Sequence, residues 1–339
     1  MDRLQPAVAI RCISAGSGDL AGADCGVLTR AAVGELRVDR ACKSVDEQAC
    51  RKGWSTLKQA SPFVKWAGGK GQLLAQFEPY FPASFECYLE PFVGGGAVFF
   101  YLYNRGRLAG KEILLIDHVE ELINSYRAVQ CHVEKLIAEL QRHDPHKLDT
   151  EYYYQVRAWD RRPDYAQRSD VERAARTIFL NRTCYNGLYR VNRRGQFNVP
   201  FGRYRNPTIC DAENLRAVSR ALRRVTLLVG DFAHCLEMAG PGDLVYLDPP
   251  YHPLSATASF TSYTSTNFGV KDQRRLANLF RELDRRGCYV MLSNSATDLV
   301  RELYGGYEQV ELQAIRAISC KGDERGAIPE LLVLNRYDR

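Results

Sequence analysis

The chain has 339 residues, 45% of them hydrophobic and 25% charged, enough to bury a substantial core in one to three domains. Its net charge of +6 makes it mildly basic, compatible with a polyanionic partner without requiring one. No apolar run approaches the roughly 18 residues that a membrane-spanning helix needs, and the N-terminus lacks the apolar core of a signal peptide.

The eleven cysteines include no Cys-x-x-Cys pair. They read as reduced, mostly buried thiols of a cytosolic protein, with no zinc or disulfide framework. Residues 1–60 are weakly patterned, short apolar pieces alternating with Gly, Ala, Asp and Arg. They are expected to be a disordered extension, with a small added element or an upstream start site as alternatives.

Patterned sequence begins at Ser61-Pro-Phe-Val-Lys-Trp-Ala-Gly-Gly-Lys70. A helix is expected over Gln72–Phe81. The Gly-Gly-Lys loop suits phosphate, but it lacks the Walker spacing and a following Ser or Thr, which argues against nucleotide hydrolysis. A short strand then ends at Glu90, followed by Pro91-Phe-Val-Gly-Gly-Gly96 and a helix over Ala97–Asn104. Strand, glycine turn and helix form the geometry that cradles a nucleotide-like cofactor; the same turn also serves purely structural ends. A second strand, Glu112–Ile116, ends at Asp117, about 20 residues after the turn, where an acidic side chain commonly accepts from ribose hydroxyls.

Residues 118–148 carry helical periodicity through Leu122, Ile123, Tyr126, Val129, Val133, Leu136, Ile137 and Leu140. From Tyr152 to Arg224 arginine becomes frequent and is mixed with Tyr and Asn. Asn186-Gly187 and Arg194-Gly195 punctuate short aromatic or apolar runs there, so a β-hairpin is expected. Cations for phosphate, Arg for guanine edges and rings for stacking are what a nucleic-acid surface needs.

A strand over Val225–Val229 leads to Asp231-Phe232, where Asp231 is placed either to meet an adenine amino group or to cap the next helix. Leu244–Leu247 reads as a buried strand, and Asp248-Pro-Pro-Tyr251 follows it. The prolines cannot continue a sheet and stiffen the loop. A carboxylate at a strand's carboxyl end is where open α/β sheets place ligand chemistry. Asp248 and the Pro249 carbonyl are two close acceptors suited to an exocyclic amino group, and Tyr251 offers a stacking face. A plain Asp-Pro-Pro turn is the structural alternative. Ser255–Asn267 suits a mobile substrate loop. Lys271–Arg286 reads as an amphipathic helix and Cys288–Leu292 as a strand ending at Ser293-Asn-Ser295. Val310–Ile315 and Leu331–Asn335 read as closing strands, flanking an exposed loop from Lys321.

Taken together, Lys65-Trp-Ala-Gly-Gly-Lys70, Glu90-Pro-Phe-Val-Gly-Gly-Gly96, Tyr185-Asn-Gly-Leu188, Gly195-Gln-Phe-Asn-Val-Pro-Phe-Gly-Arg-Tyr204 and Asp248-Pro-Pro-Tyr251 resemble the Dam-type, α-group family of DNA adenine-N6 methyltransferases, over Phe63 to Asn335. The resemblance implies an α/β fold: a Rossmann-like S-adenosylmethionine-dependent methyltransferase sheet with an inserted, mainly helical plus β-hairpin DNA-recognition domain. Residues 61–150 and 225–339 would form the catalytic domain and 151–224 the target-recognition domain.

In that family's terms S-adenosyl-L-methionine is the methyl donor and no metal is required. Trp66, Lys70, Glu90, Pro91, Phe92, Gly94, Gly96, Asp117, Asp231, Phe232 and Asp248 would line the cofactor. Asp248, Pro249, Pro250 and Tyr251 would form the catalytic loop around an adenine flipped out of the duplex. Lys65, Tyr185, Asn186, Leu188, Arg190, Pro200 and Tyr204 would contact double-stranded DNA, with GATC as the implied site. Tyr189, Val191, Arg193 and Gly230-Asp231 depart from the family pattern. A monomer acting on cytoplasmic DNA is expected. A catalytically silent DNA-binding relative, and an amino-methyltransferase acting on another base or on RNA, are the rival readings.

Overall fold

The computed structural model describes residues 58–253, 268–315 and 327–339. Their seven strands form one sheet: β1 (Tyr88–Glu90), β2 (Ile113–Asp117), β3 (Val225–Val229), β4 (Leu244–Leu247), β5 (Tyr289–Ser295), β6 (Glu308–Ile315) and β7 (Ala327–Leu334). The order is β3-β2-β1-β4-β5-β7-β6. β1 to β5 pair in parallel, while β7 runs antiparallel to both β5 and β6. The strand order reverses between β1 and β4, and ligands bind outside the carboxyl ends of the strands at such a point.

Alternation along the strands explains why both faces are covered. Leu244 and Tyr246 join one apolar cluster, Val245 and Leu247 the other. All four are completely buried, as expected for a parallel strand with helices on both sides. The first face carries α3 (Glu120–His143), α5 (Asp170–Thr183) and α6 (Ala212–Leu222). Its apolar cluster continues without a break from the sheet into residues 153–222. The second face carries α7 (Val270–Arg285) and α8 (Asp298–Leu303). The remaining helices are α1 (Leu74–Phe77), α2 (Ala97–Asn104) and α4 (Thr150–Arg157).

Several sequence expectations need correcting. The helix expected over Gln72–Phe81 is only the four-residue α1 and a 3-10 turn over Glu78–Tyr80; Pro79 cannot donate the backbone bond that an α-helix would require there. The expected hairpin is irregular. Its arms are antiparallel but meet only in isolated bridges, Cys184 with Phe201 and Val191 with Phe197. A 3-10 turn at Tyr185–Gly187, with Asn186 at φ 54°, diverts the first arm, and Pro200 has no amide hydrogen for a ladder. Against the expectation of mostly buried thiols, Cys131 is exposed and Cys87 and Cys210 are only partly buried. The loops expected at Ser255–Asn267 and from Lys321, and the extension before Lys58, lie outside the described residues. Lys58 itself pairs with Asp211 at 2.8 Å and Ala60 is buried.

Candidate active site and nucleic-acid interface

The turn after β1 is shaped by two left-handed glycines, Gly94 (φ 47°) and Gly96 (φ 71°). A β-carbon on Gly94 would sit 2.7 Å from Trp66, and one on Gly96 would sit 2.7 Å from the Tyr126 hydroxyl. Only glycine fits there. Tyr126 donates to the Gly94 carbonyl at 3.0 Å. Asp117, at the tip of β2, accepts from the amides of Gly94 (3.1 Å) and Val119 (3.0 Å). Burial raises the Asp117 carboxyl above its ordinary range, against the pull of His118 and the amides.

Glu90 ends β1 fully buried and accepts from the Tyr88 hydroxyl at 2.8 Å. Burial pushes its carboxyl up to about 8, with the Tyr88 bond opposing. A buried carboxyl this reluctant to ionise is a ready partner for an arriving cation. Further along the strand ends, Phe92 and Phe232 stack at 5.3 Å and Phe268 meets both, at 5.9 and 6.0 Å. Asp231 caps the 3-10 turn Phe232–Glu237 through the Ala233 amide and pairs with Arg275 at 2.9 Å. Arg275 lies over the Phe232 ring at 4.8 Å. Capping is therefore one occupation of Asp231.

At the end of β4, Asp248 Oδ1 pairs with Lys70 Nζ at 2.8 Å. Lys70 is 3% exposed. It also donates to the Gly68 carbonyl at 2.6 Å and stands 4.7 Å from the Tyr251 ring centre. Burial raises the Asp248 carboxyl and Lys70 opposes it. The loop backbone is held from behind. Gln273 on α7 donates to the Pro250 carbonyl at 3.0 Å, and Asn294 on β5 donates to Gln273 at 3.0 Å. The Asn294 carbonyl accepts from the His252 amide at 3.2 Å, and the Ser295 hydroxyl donates to the His252 carbonyl at 2.5 Å. Gln273 and Asn294 are completely buried. Two amide side chains thus clamp a loop whose prolines supply no amide hydrogen.

The basic aromatic arm sits beside the Lys65 loop. Asn181, 1% exposed, exchanges two 2.7 Å hydrogen bonds with the Lys65 backbone and donates to the Gly187 carbonyl at 3.0 Å. The Lys65 stem packs on Gly187, and its ammonium lies 4.0 Å from the Tyr204 ring centre. Tyr189 stacks on Trp66 at 5.3 Å, so this departure from the family pattern bridges the arm to the glycine turn. Arg190 donates through Nε to Asn198 at 2.7 Å, which fixes the plane of its guanidinium. Tyr185 is 47% exposed, and with Asn186, Phe201, Arg203 and Tyr204 it lines a surface cleft. The Pro200 carbonyl accepts from the Tyr185 amide and that of Leu188 from the Cys184 thiol.

The structure therefore brings Lys70, Asp248 and Tyr251 together, sets Glu90, Gly94, Gly96 and Asp117 along neighbouring strand ends, and places Gly187 and Tyr204 of the arm against Lys65. Sequence reasoning missed Asn181, Phe268, Gln273, Arg275, Asn294 and Glu330. The available signal was chemical for three of them: Asn181 and Gln273 fall on the apolar side of their helices and Asn294 at the end of an expected strand, whereas Glu330 precedes the strand expected over Leu331–Asn335.

Residues 66–318 match the family described as D12 class N6 adenine-specific DNA methyltransferase. The chain is 46% identical over 290 residues to the type II methyltransferase M.MjaIII of Methanocaldococcus jannaschii, covering 82% of this chain and 99% of that one. It is 43% identical to M1.LlaDCHI of Lactococcus lactis subsp. cremoris, over 81% of this chain and 95% of that one. Against the DNA adenine methylase of Escherichia coli K12 it is 36% identical, over 82% and 96%.

Proposed function

The chain belongs to the D12 class of N6 adenine-specific DNA methyltransferases, and from this we propose that it methylates adenine N6 in duplex DNA at GATC, using S-adenosyl-L-methionine. The observation that carries the reading is the position of Asp248. It ends β4, next to β1 and its glycine turn, where the strand order reverses.

The residues fit this cofactor. The two left-handed glycines let Trp66 and Tyr126 close onto the backbone of the turn, which fixes its shape beside the strand ends. Glu90 and the glycine turn with Pro91 would hold the methionine end, Asp117 the ribose, and Asp231 with Phe92 and Phe232 the adenine. The cofactor supplies an electrophilic methyl group.

The rest is the work of this chain. Asp248 and the Pro249 carbonyl would accept from the target amino group, draw its lone pair out of conjugation with the purine, and favour the cationic nitrogen as the new N–C bond forms and the donor's S–CH3 bond breaks, leaving a neutral thioether. The nitrogen then loses one proton, to Asp248 or to solvent. Tyr251 stacks on the extruded base, because the amino group is out of reach inside the duplex. Pro250 and its Gln273 bond keep the loop in one geometry, which is worth rate through orientation.

For site reading, Arg190 donates to a guanine, Leu188 and Pro200 meet the thymine methyl, and Lys65 meets the first guanine, with Tyr185, Asn186 and Tyr204 completing the surface. Residues 151–224 act as the recognition unit within a catalytic frame of 61–150 and 225–339. The protein acts as a monomer on DNA in the cytoplasm. Incubation with labelled cofactor and duplexes differing only at GATC, followed by nucleoside analysis, tests the site. Label confined to the GATC duplex supports it, and equal labelling of both rejects it.

A further inference from the structure

Glu330 stands on β7, paired in register with Ser295 of β5 and Leu312 of β6. It is a carboxylate in the middle of a sheet, 7% exposed, and the chemistry above does not use it. Its Oε1 lies 4.0 Å from the Lys70 ammonium, on which Asp248 holds the shorter grip of 2.8 Å. Neither that oxygen nor the enclosed Tyr251 hydroxyl makes a well-formed hydrogen bond among the described residues. The two groups still lie close enough to interact with each other.

A structural ion pair would close to a shorter contact. Glu330 stands off from Lys70 instead, with Tyr251 and Ser293 beside its carboxylate. Its distance makes sense if the ammonium has two places to be. As the cofactor-loaded enzyme takes up the target, the amino group needs the lone pairs of Asp248 that Lys70 holds. The ammonium then needs a second anion to lean on without leaving the buried site, and Glu330 is that anion.

Resting on the adenine-N6 reading, we propose that Glu330 is a positioning residue for methyl transfer: it is the second anchor of the Lys70 ammonium, which frees Asp248 to accept from the target amino group and seats the Tyr251 ring. The charged and titratable groups that face Asp248 are Lys70, Glu330, Glu90, Tyr88, Tyr246 and Tyr251. Asp248 and Glu330 each disfavour the other's ionisation, and Lys70 favours both. Removing the Glu330 charge leaves Asp248 as the one carboxylate in close contact with Lys70, so Asp248 stays ionised to lower pH but yields less readily to substrate.

The test is the pH profile of single-turnover methylation by wild type, Glu330→Gln and Glu330→Asp, with the affinities for duplex and cofactor and the melting temperature of each. Glu330→Gln is expected to lose at least tenfold in the plateau rate, to shift its acid limb to lower pH and to keep both affinities within about threefold, a pattern of lost transition-state interaction. Glu330→Asp keeps the charge but draws it back. It is expected to lose rate with the acid limb where wild type has it. A wild-type plateau in either variant, or a rate loss with an unmoved acid limb in Glu330→Gln, overturns the proposal. If Glu330→Gln does not fold, the Asp variant decides by its rate. Failure of wild type to methylate adenine would instead sink the underlying reading, so the two failures are distinguishable.

Discussion

The amide of Gly94 donates to Asp117 Oδ2 at 3.1 Å, which ties the glycine turn after β1 to the tip of β2. The turn is therefore built before any ligand arrives, and a preformed site loses less on binding. Gly94→Ala breaks this geometry twice, through its left-handed φ and through contact with Trp66. Calorimetric titration of the variant with cofactor should show at least a tenfold weaker affinity, and its stability should fall by about 1–2 kcal/mol from the backbone alone. Unchanged affinity would mean that the turn is only structural.

Glu90 makes the stability of the ligand-free protein depend on pH. Its carboxyl titrates near 8 when folded, against an ordinary value of 4.5. The folded state thus holds a proton that the unfolded chain releases. The stabilisation is full below about 4.5 and is lost as pH rises through about 8. Urea melts between pH 5 and 8.5 should show wild type weakening with pH by up to about 1 kcal/mol per unit, and Glu90→Gln should be flatter. Parallel curves would contradict the assignment.

Gln273 holds the Pro250 carbonyl and is held by Asn294. Gln273→Ala leaves that carbonyl and the Asn294 amide unpaired inside the protein, at a cost of about 1–3 kcal/mol. Because the loop would lose orientation and not its chemical groups, kcat should fall by roughly 10- to 100-fold while the KM for DNA stays near wild type. A rise in the DNA KM alone would place Gln273 outside the loop's support.

Arg190 reaches out from the arm with its guanidinium fixed by Asn198. Arg190→Ala should relax discrimination at one base pair of the site by about 1–3 kcal/mol and leave the others intact. Competition between duplexes substituted at single positions reads this directly, and uniform weakening at every position would make Arg190 a backbone contact.

How far the sequence disclosed this molecule depends on the range of the interactions. β3 and β4 and the helix over Ala97–Asn104 are where apolar runs and glycine boundaries put them, because local pattern and burial agree there. The pairing of Lys70 with Asp248 joins residues far apart in the chain, and only the sheet order brings them together. Asn181, Gln273 and Glu330 escaped notice for a related reason. A buried polar side chain looks like any other polar residue until its partners are known. The hairpin was legible as turn chemistry at Asn186-Gly187, but the 3-10 turn that interrupts its ladder is held by Asn181, a tertiary contact that local pattern does not reveal.

The claim on which everything else rests is that Asp248 receives the adenine amino group. The direct measurement is the amount of labelled N6-methyladenine formed in one turnover by wild type and by Asp248→Ala, on the same duplex at saturating enzyme. Alanine removes the acceptor while the Gln273 bond to Pro250 and the arm residues remain, so DNA affinity should persist. Wild type should convert the adenine, and the variant should fall by at least a thousandfold, in line with about 4 kcal/mol of lost transition-state stabilisation. Near-normal label in the variant, with binding intact, would contradict the account.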